Sequence, residues 1–188
     1  MAQNREEEGT KKWFDFLEVI KLLPTFANMF YQTVMEKNKK YDLLVRQIKA
    51  LTEGETDAIS VMANVSAAIQ EAMGFFWTGF YIVREGELRL GPFQGGVACM
   101  HIGFGKGVCG TAWQQRQTMV VADVEKFPGH IACSSLSRSE IVVPLFGASG
   151  EVAAVLDIDS TELGTFDDTD KRYLESICNH ISYIFNKA

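Results

Sequence analysis

The sequence predicts an α+β domain in which helices flank one central antiparallel sheet. Segments with apolar residues at helical spacing come first and last in the chain, and segments rich in aromatic and β-branched residues lie between them. Short turns that contain glycine join several strand segments, as is typical of antiparallel hairpins. The order is therefore helices, antiparallel strands, a crossover region, two more strands and a closing helix.

The N-terminal part of the chain is predicted to be separate from the main domain. Residues 13–35 have apolar side chains at helical spacing, and Pro24 should break or restart that helix. The charged segment at residues 37–40 then marks a boundary. We therefore expect a helical extension over residues 1–36 and one folded domain over residues 37–188.

The first half of the main domain is predicted to contain two helices and a hairpin. Helices are expected over residues 41–51 and 56–73, and Gly74 ends the second one. Aromatic and β-branched residues at 76–83 predict a strand, which returns through a tight turn as a second strand over 88–90.

The second half is predicted to complete the sheet and to end in a helix. Asp167 is a good N-cap for that helix. In order, the elements are a strand over 98–102, a glycine-rich turn over 103–110 leading into a short helix, a strand over 119–122, a loop over 125–139, paired strands over 140–146 and 151–159, and a helix from Asp167 to about residue 185.

Composition and charge narrow the classes of function. The chain has 188 residues, of which 47% are hydrophobic, and its formal net charge is -6, which disfavours binding to nucleic acid phosphates. It has no run of about 18 apolar residues and no signal-peptide pattern, so we expect a cytoplasmic protein that does not span a membrane. In a reducing compartment its four cysteines are expected to be buried side chains, metal ligands or reactive thiols.

Three of the cysteines have an ordinary structural interpretation. Cys178 lies at core spacing in the last helix and is expected to be a buried structural thiol. Cys99 shares one face of a predicted strand with His101, where it is either half-buried or directed at a site. Cys109 begins a predicted helix, a position that lowers the pKa of a thiol, and simple packing at a tight turn is an equal alternative.

Cys133 has the sequence context most typical of a reactive thiol. It lies in the predicted loop at residues 125–139, and loops held by a rigid scaffold often carry catalytic residues. His130 and Arg138 in the same loop would each favour a thiolate. The alternative is that Cys133 is a small apolar residue that fixes the loop.

Two further motifs suggest other chemistry. Cys99 and His101, together with His130 and Cys133, supply two thiols and two imidazoles, a zinc-ligand set with loose spacing. We expect no bound metal, and metal analysis tests this. The Gly-x-Gly-x-x-Gly run at 105–110 follows antiparallel strands instead of opening a βαβ unit, so it predicts a sharp strand-to-helix turn and not a dinucleotide site.

The second hairpin is predicted to bring three carboxyl groups together. If Phe146 pairs with Glu151 across the turn, Glu140 lies opposite Asp157, and Asp159 follows on the same face. Like charges placed opposite each other cost stability, so the cluster suggests a site for a cationic group or an acid that keeps its proton. A Mg²⁺ or Ca²⁺ site and two solvated strand ends are the alternatives.

Two aromatic residues are expected to share a face of the first strand. Trp77 and Tyr81 alternate onto one side, where they either line a pocket or pack under a helix. A pocket that combines acids, aromatic rings and a loop cysteine suits a small zwitterionic ligand with an apolar side chain.

Several segments resemble the free methionine-R-sulfoxide reductase family, from about residue 39 to the C-terminus. The seven-residue segment that ends at Cys133 and the spacing of three cysteines are highly specific to that family. The matching segments are Trp77-Thr78-Gly79-Phe80-Tyr81, Leu90-Gly91-Pro92-Phe93-Gln94-Gly95, Gly107-Val108-Cys109-Gly110, residues 124–133, Ser139-Glu140-Ile141-Val142-Val143-Pro144 and Leu156-Asp157-Ile158-Asp159-Ser160.

The resemblance implies a GAF-type catalytic domain over residues 37–188 that reduces free L-methionine-R-sulfoxide. It also implies roles for eight residues: Cys133 as the nucleophile, Cys99 as the usual resolving cysteine, Cys109 as a third, alternative or relay thiol, Glu140, Asp157 and Asp159 as the acidic pocket, and Trp77 and Tyr81 as its aromatic wall.

On this interpretation the cysteine becomes a sulfenic acid and then a disulfide. We expect no bound cofactor, and thioredoxin, supplied by NADPH and thioredoxin reductase, is the expected reductant. The extension at residues 1–36 is available to cover the domain, to join a homodimer or to bind another partner. The alternative from another class is a non-catalytic GAF module that senses a small ligand.

Overall fold

The computed structural model describes residues 33–186, and the chain divides into two units, Met1–Lys40 and Tyr41–Ala188. Residues 33–51 are helical and form α1, which ends where the sequence predicted. The predicted start at residue 41 is wrong, because the charged residues 37–40 are part of the same helix. Most of the helix expected over residues 13–35, including the break at Pro24, lies outside the described residues. The division of the chain at residues 36 and 37 stays a prediction.

The second unit is built on one six-stranded antiparallel sheet, so the predicted α+β class is confirmed. The strand order is β3-β2-β1-β6-β5-β4. The strands are β1 Trp77–Arg84, β2 Glu87–Gln94, β3 His101–Gly103, β4 Met119–Val121, β5 Ser139–Phe146 and β6 Val152–Ser160. The helices are α2 Ala58–Met73, α3 Gly107–Gln115 and α4 Asp168–Ile181, with 3-10 turns at Val124–Lys126 and Ser182–Phe185.

Side-chain caps fix where two of the helices begin. The carboxylate of Asp57 accepts a hydrogen bond of 2.8 Å from the backbone N–H of Ser60 and starts α2, which ends at Gly74 in the left-handed conformation (φ 71°). Asp167 starts α4 through a capping box with Asp170, as its position predicted. The last α-helix is shorter than expected, because the residues after Ile181 tighten into a 3-10 turn.

The sheet buries an apolar layer on each face. Alternation along the strands sends Phe80, Ile141 and Leu156 to the face covered by α1, α2 and α4. Tyr81 and Val142 point to the opposite face, where α3 packs. The second face is therefore shared between a smaller apolar layer and the polar groups described below. Within the described residues, no helix has the length and apolar character needed to cross a membrane.

The register of the β5–β6 hairpin differs from the predicted one by two residues. Glu140 lies opposite Asp159, not Asp157, which lies opposite Val142. The shift of two residues has two sources, each of one residue. Phe146 pairs with Val152 instead of Glu151, which lengthens the turn by one residue, and an irregularity between Leu145 and Phe146 adds the other. Because side chains repeat every two residues along a strand, a shift of two leaves all three carboxyl groups on the predicted face.

Candidate active site

A pocket opens on the sheet face that carries α3. Its floor is formed by β1, β5 and β6, and its sides are formed by the start of α3 and the loop between Val124–Lys126 and β5. The residues that line it are Phe76, Trp77, Tyr81, Val97, Ala98, Ile102, Lys106, Gly107, Val108, Cys109, His130, Ile131, Cys133, Ser134, Ser137, Glu140, Asp157 and Asp159. Seven of the eight predicted site residues line this pocket, and the eighth, Cys99, is bonded to one of them.

Cys99 and Cys133 form a disulfide at the edge of the pocket. Their Cα atoms lie 5.3 Å apart, and both residues are partly exposed. Cys99 was predicted to lie on a strand, and this is wrong because β3 begins only at His101. The loop that carries Cys133 is held by backbone hydrogen bonds. In one of them the N–H of Cys133 donates to the carbonyl oxygen of Ile131 over 3.0 Å. The disulfide therefore joins two segments outside the sheet, and its partial exposure gives the access that thiol exchange needs.

Cys109 is a free thiol at the buried end of the pocket. It lies in the first turn of α3, it is 4% exposed, and its Sγ donates to Glu140 Oε1 over 3.8 Å. Burial, and after it the charges of Asp157 and Glu140, raise the pKa of this thiol well above its usual value. The low pKa expected at a helix N-terminus is therefore not realised, because desolvation outweighs the helix dipole.

The three carboxyl groups lie together under the aromatic wall. Glu140 and Asp157 are each 6% exposed, and burial raises the pKa of both well above their usual range. Repulsion adds to the effect: Asp157 and Asp159 raise the pKa of Glu140, and Asp159 raises that of Asp157. Burial also raises the pKa of Asp159 to about 6, although a hydrogen bond from Ser137 opposes the shift. One or more of these acids therefore keeps its proton near neutral pH.

Asp157 has an oxygen that its surroundings leave unsatisfied. Its Oδ1 atom is buried and has no hydrogen-bond partner among the described residues. Buried polar atoms without a partner are uncommon in folded proteins. This atom therefore indicates that a donor or a cation from a ligand completes the pocket.

The aromatic wall is fixed by stacking and by one hydrogen bond. The ring of Trp77 lies 6.1 Å from that of Tyr81 and 5.4 Å from that of Phe93, and its Nε1 donates to the carbonyl of Gly96 over 3.0 Å. Gly95 has φ 130°, and a Cβ there would lie 2.6 Å from Trp77 Cδ1, so only glycine fits.

Other lining residues were missed from the sequence. Phe76 begins the strand predicted over residues 76–83, where alternation would direct it away from Trp77. In the structure Phe76 precedes β1 and lines the pocket with Trp77. Ser137, whose side chain forms a hydrogen bond with Asp159, belongs to no recognisable sequence motif. A polar residue in a long loop next to a predicted acidic cluster was the available signal.

The four residues of the predicted zinc set are not brought together. Cys99 and Cys133 are bonded to each other, and His101 Nδ1 contacts Glu87 Oε1 at 2.9 Å on the protein surface. His130 lines the pocket, but burial lowers its pKa, so a neutral imidazole is expected there and not a cation that favours a thiolate.

The glycines at 105–110 form a tight turn into α3. Gly107 has φ 60° at the first position of the helix, and a Cβ on Gly110 would lie 2.4 Å from the carbonyl oxygen of Gly103. The run therefore serves close backbone packing, as predicted, and lies between antiparallel β3 and α3 outside any βαβ unit.

Comparison with known proteins gives consistent matches over this unit. Residues 55–186 match the GAF domain family. GAF domain-containing protein A of Dictyostelium discoideum is 56% identical over 142 residues, which cover 75% of this chain and 89% of that protein. Free methionine-R-sulfoxide reductase of Escherichia coli is 44% identical over 144 residues, which cover 76% and 87%.

A solved structure matches at similar extent. The X-ray structure of free methionine-R-sulfoxide reductase from Neisseria meningitidis in complex with its substrate superposes with a TM-score of 0.75 at 50% sequence identity. The match covers 77% of this chain and 87% of that one.

Proposed function

This chain belongs to the free methionine-R-sulfoxide reductase family, and we propose that it reduces free L-methionine-R-sulfoxide to L-methionine. One observation carries the proposal: a pocket in which a bonded cysteine pair lies beside three carboxyl groups and an aromatic wall. In its reduced, dithiol form the pair supplies two electrons, the acids supply protons, and the wall accommodates the apolar end of a small zwitterion.

The chemical step is nucleophilic attack by Cys133 on the sulfoxide sulfur. A protonated carboxyl group of Glu140 or Asp157 gives its proton to the sulfoxide oxygen. The bond between that oxygen and the substrate sulfur breaks, the hydroxyl group passes to the sulfur of the Cys133 thiolate, and methionine leaves while Cys133 becomes a sulfenic acid. The raised pKa of both acids supports this role, because an ordinary carboxyl group has lost its proton at neutral pH.

Resolution of the sulfenic acid follows from the cysteine pairing. The thiol of Cys99 condenses with the sulfenic acid of Cys133, water leaves, and the disulfide described above is the product. Thioredoxin, kept reduced by NADPH and thioredoxin reductase, then restores both thiols by exchange. Cys109 is the third thiol of the pocket, and we assign it the role of an alternative or relay thiol.

The preference for a free amino acid follows from the acids that do not donate the proton. The substrate ammonium group is a cation with three donors, and it matches an ionised Asp159. When Glu140 is the proton donor, the unsatisfied Oδ1 atom of Asp157 accepts from the ammonium group as well. A methionine sulfoxide within a peptide has an amide at that position and cannot form this ion pair. Trp77 and Tyr81 contact the apolar part of the side chain in this arrangement.

The proposal is tested by NADPH consumption in a coupled assay with thioredoxin and thioredoxin reductase. Three substrates are compared: free methionine-R-sulfoxide, its S epimer and a peptide-bound sulfoxide. We expect turnover with the free R form only, loss of turnover in Cys133→Ser, and normal turnover in the matched control Cys178→Ser, whose thiol is buried in α4. Turnover of none of the three by folded, reduced protein would instead favour the ligand-sensing GAF module.

The cellular setting belongs to the same proposal. A disulfide that must be reduced after every cycle requires a compartment with a thiol reductant, so we place the protein in the cytoplasm. The part of the N-terminal extension outside the described residues is not assigned a role, and a homodimer stays a prediction.

A further inference from the structure

The buried end of the pocket contains a set of groups that a transition metal binds. Cys109 from α3, Glu140 from β5 and Asp157 from β6 each offer one ligand atom, and these atoms lie within 4.8 Å of one another. All three residues are buried, although they come from separate elements. Three potential ligands therefore converge on one point that is shielded from bulk water.

A second observation, independent of the cluster, points to a ligand at this position. Asp157 is 94% buried, and its Oδ1 atom has no hydrogen-bond partner among the described residues. The neighbouring groups, Glu140 and Asp159, are acids as well, so each ionised carboxylate repels the next. A bound cation satisfies the free oxygen and removes the repulsion.

We propose that Cys109, Glu140 and Asp157 bind one divalent ion of the zinc class, and that this ion competes with the amino acid for the pocket. A thiolate ligand favours zinc over magnesium or calcium, which prefer sets of oxygen ligands only. Ligand atoms lie about 2.0–2.3 Å from a bound zinc ion, so small side-chain rotations bring atoms at the observed separations onto one ion.

One side of the proposed site faces the pocket. Three protein ligands leave the fourth tetrahedral position for water, and the pocket leads outward to the exposed side chains of Val97 and Ile131. The ion takes the place of the thiol proton of Cys109, which passes to solvent. The proposal that the three ligands bind a metal does not depend on the proposed reductase activity. The proposal that the metal competes with the amino acid does depend on it.

In the oxidised protein, metal binding by this site can be distinguished from metal binding by the redox-active cysteines. With Cys99 and Cys133 bonded, the remaining thiols of the chain are Cys109 and Cys178, and Cys178 lies in the opposite apolar layer. Substitution of Cys109 and, separately, of Cys178 therefore shows which of the two thiols binds the metal in the oxidised protein.

The experiment is a titration of the oxidised full-length chain with Co²⁺, whose thiolate complexes absorb in the near ultraviolet. We expect one equivalent to bind with a thiolate-to-cobalt band, and Zn²⁺ to displace it. Cys109→Ser should lose the band, Asp157→Asn should keep it but bind at least about tenfold more weakly, and the control Cys178→Ser should match the parent. Thermal melting of each variant confirms that it is folded.

Several results would overturn the proposal. They are the absence of a thiolate band in the parent protein, a band that persists in folded Cys109→Ser, or equal affinity in Asp157→Asn and the parent. Added free methionine should displace the cobalt, and a band insensitive to methionine would overturn the competition alone. None of these measurements uses turnover, so inactivity toward methionine sulfoxide would not be mistaken for absence of the metal site.

Discussion

Asp159→Asn is expected to reduce the loss of stability that accompanies a rise in pH from about 4 to about 7. Asp159 has a pKa of about 6 in the folded protein and an ordinary value of 3.8, and burial is the cause. A group whose pKa is raised by folding contributes most stability below its unfolded pKa and loses it as the pH rises through the folded pKa. For Asp159 this window runs from about pH 4 to about pH 6.

The magnitude follows from the same two pKa values. Each tenfold change in an acid's ionisation constant corresponds to about 1.4 kcal/mol, so the rise from 3.8 to about 6 costs the folded protein about 3 kcal/mol at neutral pH. An asparagine cannot ionise and avoids this cost. Glu140 and Asp157 have raised pKa values as well, so the stability of the variant should still decline as the pH rises, and only the share of Asp159 is removed.

Urea unfolding between about pH 4 and about pH 7 measures the effect. The free energy of unfolding should fall by about 3 kcal/mol more in the parent protein than in Asp159→Asn across this range. Glu53→Gln, which changes an exposed carboxyl group, is the matched control and should follow the parent. Parallel curves for Asp159→Asn and the parent would refute the assignment of a buried, raised-pKa acid to this position.

Three further substitutions test the aromatic wall of the pocket and the packing on the opposite face of the sheet. Gly95→Ala places a Cβ 2.6 Å from Trp77 Cδ1 at φ 130° and should destabilise the fold by about 1–3 kcal/mol in urea unfolding; an unchanged midpoint would contradict the packing. Trp77→Phe keeps the stacking but loses the 3.0 Å bond to Gly96, so KM should rise several-fold with a smaller change in kcat in the coupled assay. Tyr41→Phe removes the 2.8 Å bond to buried Asp170 and should lower the melting temperature, at a cost of about 1–3 kcal/mol.

The parts of the fold that depend on local patterns were predictable from the sequence. Helix α2 begins near its predicted start and ends at Gly74, and α4 begins after Asp167, because capping is decided by neighbouring residues. The common face of Trp77 and Tyr81 follows from alternation along a regular strand. The acidic cluster was predicted although the register was wrong, since the error was an even number of residues.

The parts that depend on tertiary contacts were not predictable in the same way. The position of Cys99 outside β3 depends on where strand pairing with β2 begins, and local composition does not determine that. The low pKa expected for the Cys109 thiol was based on the helix N-terminus alone. Burial among acids from β5 and β6 raises that pKa instead. His130 was treated as a cation for a similar reason, and its burial makes the neutral form the expected one.

The most direct test of the central claim is a single turnover without any external reductant. Fully reduced protein is mixed with an excess of free methionine-R-sulfoxide, and the methionine released and the cysteine pairing are measured by mass spectrometry. The proposed chemistry predicts one methionine per chain and a new disulfide between Cys99 and Cys133, with Cys178 still a free thiol. Release of methionine without that disulfide would contradict the cysteine assignment, and no release of methionine would contradict the proposed function.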